Sequence, residues 1–494
     1  MTLVLGLDIG TTSTIGILIE LPNKVLATAS RPVTLHSPHA GWAEEDPQQW
    51  WANVCEIVPD LLGQSGQAGN EIVAIGVSGM LPAVVLLDKE DRLIRPSIQQ
   101  SDGRCGVEVD EMRREIDEAS FLKRAGNGVN QQLVGAKMRW IKRHEPENYA
   151  RVATVFGSYD FINWRLTGSK AIEQNWALEA GLVDVKSGVL DPELARMTGV
   201  PETALPPMIG SHCILGKVTP EAAAATGLAE ATPVVGGAAD MIASALGAGV
   251  TKAGDVLLKF GGAVDILTAT DRVIPDARLY LDYHLVPGLF MPNGCMSTGG
   301  SVLNWFVKTF ATNVDTGRSS IHAWLDERAA EKLAGSDDLL VLPYFLGEKT
   351  PLHDPFARGV IEGLTLSHDI GHLWRAVLEA YAYALRHHVE VLRDIGHPAE
   401  RFIVSDGGSQ SSVWMGIVAD VMGAPVHRLG GHPGSCLGAA WTAAVGVGLA
   451  EWEGISAFVS DAGTIEPNAV HRDAYERGYA RFRELYSRLQ GFHI

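Results

Sequence analysis

The chain has 494 residues, 46 % of them hydrophobic, so it carries apolar material for two large cores rather than one. Its formal net charge of -18 and pI near 5.3 argue against nucleic acid or an anionic membrane as a partner, because both reward a basic face. Five scattered cysteines, Cys55, Cys105, Cys213, Cys295 and Cys436, form no CxxC pair; they fit a reduced cytoplasmic compartment and suggest neither a disulfide framework nor a zinc site.

The N-terminus has no basic leader and Asp8 interrupts its apolar run, which excludes an ordinary signal peptide. Residues 3–9 and 14–19 read as two strands joined by the turn Gly10-Thr11-Thr12-Ser13. Such a turn offers amides and hydroxyls to an oxyanion, and Asp8 at the strand end suits a hydrated cation; a plain hairpin is the alternative. Asp46-Pro47 starts a helix along Trp51, Val54, Cys55, Val58 and Leu62, which Pro59 should kink or shorten. Residues 72–77 and 83–87 read as strands, with Met80 and Leu81 in the loop between them. Ser101-Asp102-Gly103-Arg104 precedes a helix over about 105–116 and reads on its own as a helix start.

Near the middle, Val234-Val235 ends a buried strand, Gly236-Gly237 turns the backbone, and Asp240 opens a small-residue helix closed by Gly247 and Gly249. Asp240 is either an N-cap or a reacting carboxylate at a strand-to-helix corner. The pattern of apolar run, glycine turn and apolar run then returns at Asp255–Leu267 around Gly261-Gly262-Ala263. One such hairpin opening each half predicts a duplicated architecture of two domains, 1–245 and 246–494, facing each other across a cleft. The second half continues with a helix over 372–395, a strand at 401–404 and the turn Asp406-Gly407-Gly408-Ser409-Gln410-Ser411 before a helix over 413–422. The Gly- and Ala-rich helix over 438–447 invites close packing, and its apolar run to Ala450 is too short to span a bilayer. The last helix, 473–489, packs on its own half or crosses back to the first.

Together these stretches resemble the FGGY carbohydrate kinases of the actin/hexokinase (ribonuclease H-like) superfamily, along essentially the whole chain. Gly359-Val-Ile-Glu-Gly363-Leu364, followed after seven residues by His372-Leu373-Trp374-Arg375-Ala376-Val-Leu-Glu379, satisfies that family's C-terminal signature. Asp8-Ile-Gly10-Thr11-Thr12-Ser13 resembles its first phosphate motif, Gly236-Gly-Ala-Ala-Asp240 its catalytic-base motif, and Asp406 to Ser411 its adenosine motif. Among its members the xylulose kinases are most similar, through residues 42–51, 86–88, 102–105 and 343–351. The chain departs from them at Met80-Leu81-Pro82-Ala83 and Gln100-Ser101, and carries Gly262-Ala263 where relatives commonly have Thr-Ser.

The resemblance implies a two-domain α/β enzyme that transfers the γ-phosphoryl group of ATP, with Mg²⁺, to a hydroxyl of a small ketose or polyol. It implies Asp240 as base, Asp8 toward Mg²⁺, and Gly10, Thr11, Thr12, Ser13, Gly261, Gly262 and Ala263 around the phosphates. Gly407, Gly408 and Ser411 would line the adenosine site, and Met80, Leu81, Asp102, Arg104 and Asp240 would serve the acceptor. Homodimers are frequent in that family. A kinase for ribulose, erythritol or a deoxyketose, and a non-catalytic nucleotide-binding sensor of the same superfamily, stand as alternatives.

Overall fold

The computed structural model describes residues 2–312, 314–317, 320–431 and 434–492. The chain forms two compact units, Met1–Thr251 with Asp271–Met291 and Pro433–Val459, and Lys252–Thr270 with Pro292–His432 and Ser460–Ile494. This division differs from the uninterrupted split at 245/246, because two late segments belong to the first unit.

The sheet of the first unit contains β1 (Leu3–Ile9), β2 (Ser13–Glu20), β3 (Lys24–Pro32), β4 (Ile72–Gly79), β5 (Ile214–Lys217), β6 (Pro233–Val235) and β7 (Ala238–Ala239). Its order is β3-β2-β1-β4-β6-β5, with β7 also beside β4. From β3 the pairings run antiparallel, antiparallel, parallel, parallel and antiparallel. The second unit repeats the pattern with β8 (Asp255–Phe260), β9 (Val264–Thr268), β10 (Phe290–Cys295), β11 (Arg401–Ser405), β12 (Val426–Gly431) and β13 (Ser460–Ile465). Its path β10-β9-β8-β11-β12-β13 has the same sequence of pairing directions. The expected duplication is therefore present over six strands of each sheet. β1 and β4 are buried along almost their whole length, which explains their unbroken apolar runs.

Small residues decide why a late helix sits in the first unit. A Cβ on Gly6 of β1 would lie 2.1 Å from the Cys436 carbonyl oxygen, and one on Gly76 of β4 2.0 Å from that of Ala439. On the helix side, a Cβ on Gly438 would lie 1.9 Å from the Ala243 oxygen. Backbone touches backbone at all three places, so the helix Ser435–Gly446 packs closely on this sheet and on the helix Asp240–Gly247.

The helix Pro47–Ser65 continues past Pro59 rather than ending there. Pro59 is exposed, on the face of the helix away from its buried stripe. The stripe Trp50, Val54, Ile57, Val58 and Leu61 is buried and holds the helix on the sheet. The last helix, Arg472–Leu489, packs on elements of the second unit: Tyr475, Tyr479 and Phe482 surround the Tyr383 ring, and Arg375 donates to the Tyr475 hydroxyl at 2.7 Å. Among the described residues no helix is long and apolar enough to cross a membrane.

Candidate active site

The C-terminal ends of β1, β4 and β7 bring the first group of residues together. Asp8 is in register with Ser78, which is in register with Ala238, so the pair Ile9 and Ala239 flanks Gly79 one step later. The next residues out are Gly10, Met80 and Asp240. Asp8 and Asp240 thus stand on opposite flanks of β4, on strands whose axes are about 10 Å apart at ordinary sheet spacing.

Asp8 is only 7 % exposed, and its Oδ1 accepts from the Ser78 hydroxyl at 2.8 Å. The turn after it is held by the Gly10 amide donating to the Ser13 carbonyl at 3.1 Å and by the Val33 amide donating to that of Thr12 at 2.9 Å. Thr12 is exposed, with Gly10, Thr11 and Ser13 half-buried, so the turn is open to a ligand.

Asp240 is the first residue of its helix; the cap position itself falls on Ala239, whose side chain caps nothing. The Asp240 Oδ1 accepts from the next amide, that of Met241, at 2.6 Å, and the residue is half-buried. The turn that delivers it is fixed from three sides. Gly236 and Gly237 donate to the carbonyls of Cys213 and Ser211, and Asn163 donates to the Gly236 carbonyl at 2.8 Å. Gly237 has φ +97°, and a Cβ there would lie 2.5 Å from the Val77 oxygen, so the tight corner needs glycine.

The loop side chains Met80 and Leu81 are buried, at 1 % and 3 % exposure, beside this corner. Ser158 donates to the Met80 carbonyl at 2.8 Å and the Met80 amide donates to Ile9. Asp102 and Arg104 form a buried bidentate pair at 2.8 and 2.7 Å, and Asp102 also takes the amides of Ala43 and Arg104. The guanidinium lies over Trp42 at 3.8 Å and meets Glu44 at 2.7 Å. These contacts hold the Asp102 carboxyl below its ordinary range despite burial. Hydrogen-bonding capacity expected to face a sugar is thus occupied inside the protein.

In the second unit the turn Gly261-Gly262-Ala263 is clamped by the start of the helix Gly300–Phe310: the amides of Gly300 and Ser301 donate to the carbonyls of Gly261 and Gly262 at 2.9 and 3.1 Å. Gly261, Gly262, Gly407, Gly408 and Ser411 line one cavity of about 560 Å³. Gly262 and Gly407 have open space where a Cβ would go, so backbone amides can meet a ligand there. Gly408 instead touches its neighbours, and the Ser411 hydroxyl caps the helix Ser412–Met422 by accepting from Trp414. Aromatic walls come from Phe260, Trp374 and Trp414, with His322, Asn304 and Asp326 at the edge. Sequence reading missed these walls, although Trp374 lies inside the Gly359–Glu379 signature. It also missed Ser78, whose only signal was its place before Gly79, and Asn163, which is 73 residues from the Gly236 carbonyl it holds.

Comparison with known proteins agrees with this geometry. The family models for the N-terminal and C-terminal domains of the FGGY family of carbohydrate kinases match residues 3–247 and 262–447. A crystal structure of xylulose kinase from Rhodospirillum rubrum is 55 % identical with a TM-score of 0.95, covering 99 % of each chain. Xylulose kinase from Bacillus subtilis (strain 168) is 28 % identical over 99 % of this chain and 97 % of its own. L-xylulose/3-keto-L-gulonate kinase from Escherichia coli (strain K12) is 29 % identical over the same shares. With a duplicated sheet, a carboxylate at each flank of β4 and a glycine-lined cavity in the second unit, the chain belongs to the FGGY family of carbohydrate kinases.

Proposed function

We propose that this carbohydrate kinase phosphorylates xylulose, using ATP with Mg²⁺, in the cytoplasm. The observation that carries the acceptor is the 55 % identity, over 99 % of both chains, to the Rhodospirillum rubrum xylulose kinase. The relatives favour xylulose over ribulose, erythritol or a deoxyketose, and an enzyme over a non-catalytic sensor.

Asp240 acts as the general base: its carboxylate orients the attacking hydroxyl and takes its proton as the bond to phosphorus forms, a contribution of about 10²–10⁴-fold. Its rigid turn serves that role, since in-line phosphoryl transfer depends on positioning more than on covalent chemistry. The Gly10–Ser13 and Gly261–Ala263 turns cradle phosphate oxygens, and the cavity around Gly407, Gly408 and Ser411 takes adenosine between its aromatic walls. Asp8 fits a Mg²⁺ site: it is a hard oxygen donor at a strand end beside a phosphate turn, fixed by Ser78, and a single carboxylate suits an ion that takes its other ligands from phosphate and water. When bound, Mg²⁺ neutralises phosphate charge. Asp102 and Arg104 hold the acceptor loop in shape, and Met80 and Leu81 form its apolar floor.

An ADP-release assay over D-xylulose, L-xylulose, D-ribulose, erythritol and 3-keto-L-gulonate tests this reading. Xylulose should give the highest kcat/KM. Turnover stimulated by another acceptor at tenfold higher kcat/KM, or by none, refutes it.

A further inference from the structure

One fully buried ammonium lies under the acceptor side of the first unit. Lys137, on the helix Val134–His144, is 0 % exposed, and its Nζ donates to the carbonyl oxygens of Pro82 at 3.3 Å and Gln99 at 2.9 Å. Pro82 belongs to the Met80–Ala83 loop and Gln99 opens the stretch that ends at Arg104. Val84 and Ile98 exchange backbone hydrogen bonds at 2.9 and 3.2 Å, so the strands behind the loops are already joined. Lys137 joins the loops themselves.

A lysine is a costly residue for this position. Its neighbours Val134, Met138 and Ile141 are buried and apolar, and a methionine would fill the same space without stripping an ammonium of water. The groups that face it are Asp102, Arg104, Cys105 and Glu179, the last sharing a hydrogen bond with Asp282. Burial is the largest effect, Arg104 repels the ammonium, and the attraction of the other three does not offset them, so the ammonium is pushed down to about 8. A charge kept against that penalty is explained by what its N–H groups hold, which is two backbone carbonyls from separate loops.

We propose that Lys137 is a positioning residue for the acceptor, clamping the Met80–Ala83 and Gln99–Arg104 loops in the arrangement that receives the sugar. The proposal rests on the assignment of these loops to the acceptor.

The test uses the full chain as Lys137→Met and Lys137→Gln, with D-xylulose and ATP as substrates. Lys137→Met should raise KM for D-xylulose at least tenfold while KM for ATP stays within twofold, with Lys137→Gln, which keeps a neutral amide N–H₂ on a shorter side chain, in between. Hydrogen exchange should quicken in peptides over 80–83 and 99–104 and remain unchanged over 255–270. Equal effects on both KM values, with exchange faster throughout, would make Lys137 a general core residue and overturn the proposal. So would failure of both variants to fold. Faster loop exchange with an unchanged KM for D-xylulose would also overturn it, by showing that the loops are clamped but do not serve the acceptor. The wild-type panel above decides the acceptor separately.

Discussion

Gly408→Ala is the sharpest structural test of the nucleotide cavity. A Cβ at Gly408 would lie 2.6 Å from the Trp414 ring and 2.7 Å from the Phe260 Cβ, far inside the roughly 3.5–4.0 Å of ordinary carbon contact. Neither neighbour can step aside cheaply. The Trp414 indole N–H donates to the Leu378 carbonyl at 3.1 Å, and its ring packs edge-on against Phe260 at 4.8 Å and Tyr381 at 5.8 Å. Forcing one methyl into such packing costs about 1–3 kcal/mol. Each kcal/mol should lower Tm by about 2–4 °C in a unit of this size. Because the displaced ring is a wall of the cavity, the Kd for a non-hydrolysable ATP analogue should rise about tenfold. Gly407→Ala is the control for stability, since nothing lies within 4 Å of a Cβ there. Calorimetric unfolding and titration of both variants give the answer; a Gly408→Ala protein as stable as Gly407→Ala, with unaltered analogue affinity, would refute the reasoning.

Asp240→Asn should lower kcat by about 10²–10⁴-fold while leaving the Kd of the ATP analogue within twofold, because the amide cannot take the proton; near wild-type turnover removes Asp240 from the base role. Gly262→Ser places a hydroxyl in open space at a phosphate turn, and a net gain of about 1 kcal/mol should lower KM for ATP about fivefold. An unchanged KM would put that turn away from phosphate. Stability should fall as pH rises from about 4.5 to about 7. Burial raises Glu45, Glu173 and Glu348 to about 7, so the folded chain retains protons that the unfolded chain releases near pH 4.3. Their stabilising contribution is complete below the unfolded value and disappears through the folded one, with a slope of up to about 1.4 kcal/mol per pH unit for each proton. Thermal melts of wild type and Glu45→Gln measure it, and an equally steep fall in the variant would exclude Glu45.

Much of the site was legible because its signals are local. A hairpin with a glycine turn, a carboxylate at a strand end and a Gly-Gly corner each announce themselves within about ten residues, and all three stand where expected. What could not be read was partnership over distance. Nothing local marks Lys137 as the donor to carbonyls of two separate loops, and Asp102–Arg104, expected as a helix start and as acceptor contacts, is covered by Trp42 and Glu44. Pro59, expected to kink or shorten its helix, does not shorten it, because the buried stripe continues to Leu61 and the helix to Ser65. Unit membership was hidden in the same way, since the close approaches at Gly6 and Gly76 to the sheet and at Gly438 to the helix Asp240–Gly247 join residues far apart in the chain.

The duplication also places different side chains at matched strand positions. In the first sheet the residue two before the turn glycine is Asp8, in register with Ser78 of the parallel neighbour; in the second it is Lys259, in register with Ser405. The same strand position next to the same serine thus carries opposite charge. Beyond it the repeats diverge again: β4 continues into Met80, whereas β11 continues into Asp406, held at φ +69°, and then Gly407. An apolar loop follows one strand end and open amides follow the other. A phosphoryl transfer needs a carboxylate for the cation and neutral or positive groups for phosphate oxygens. Under the proposed roles, Asp8 meets the first need, while the two sheets keep the same pairing directions in the compared strands and differ in the side chains at matched strand ends.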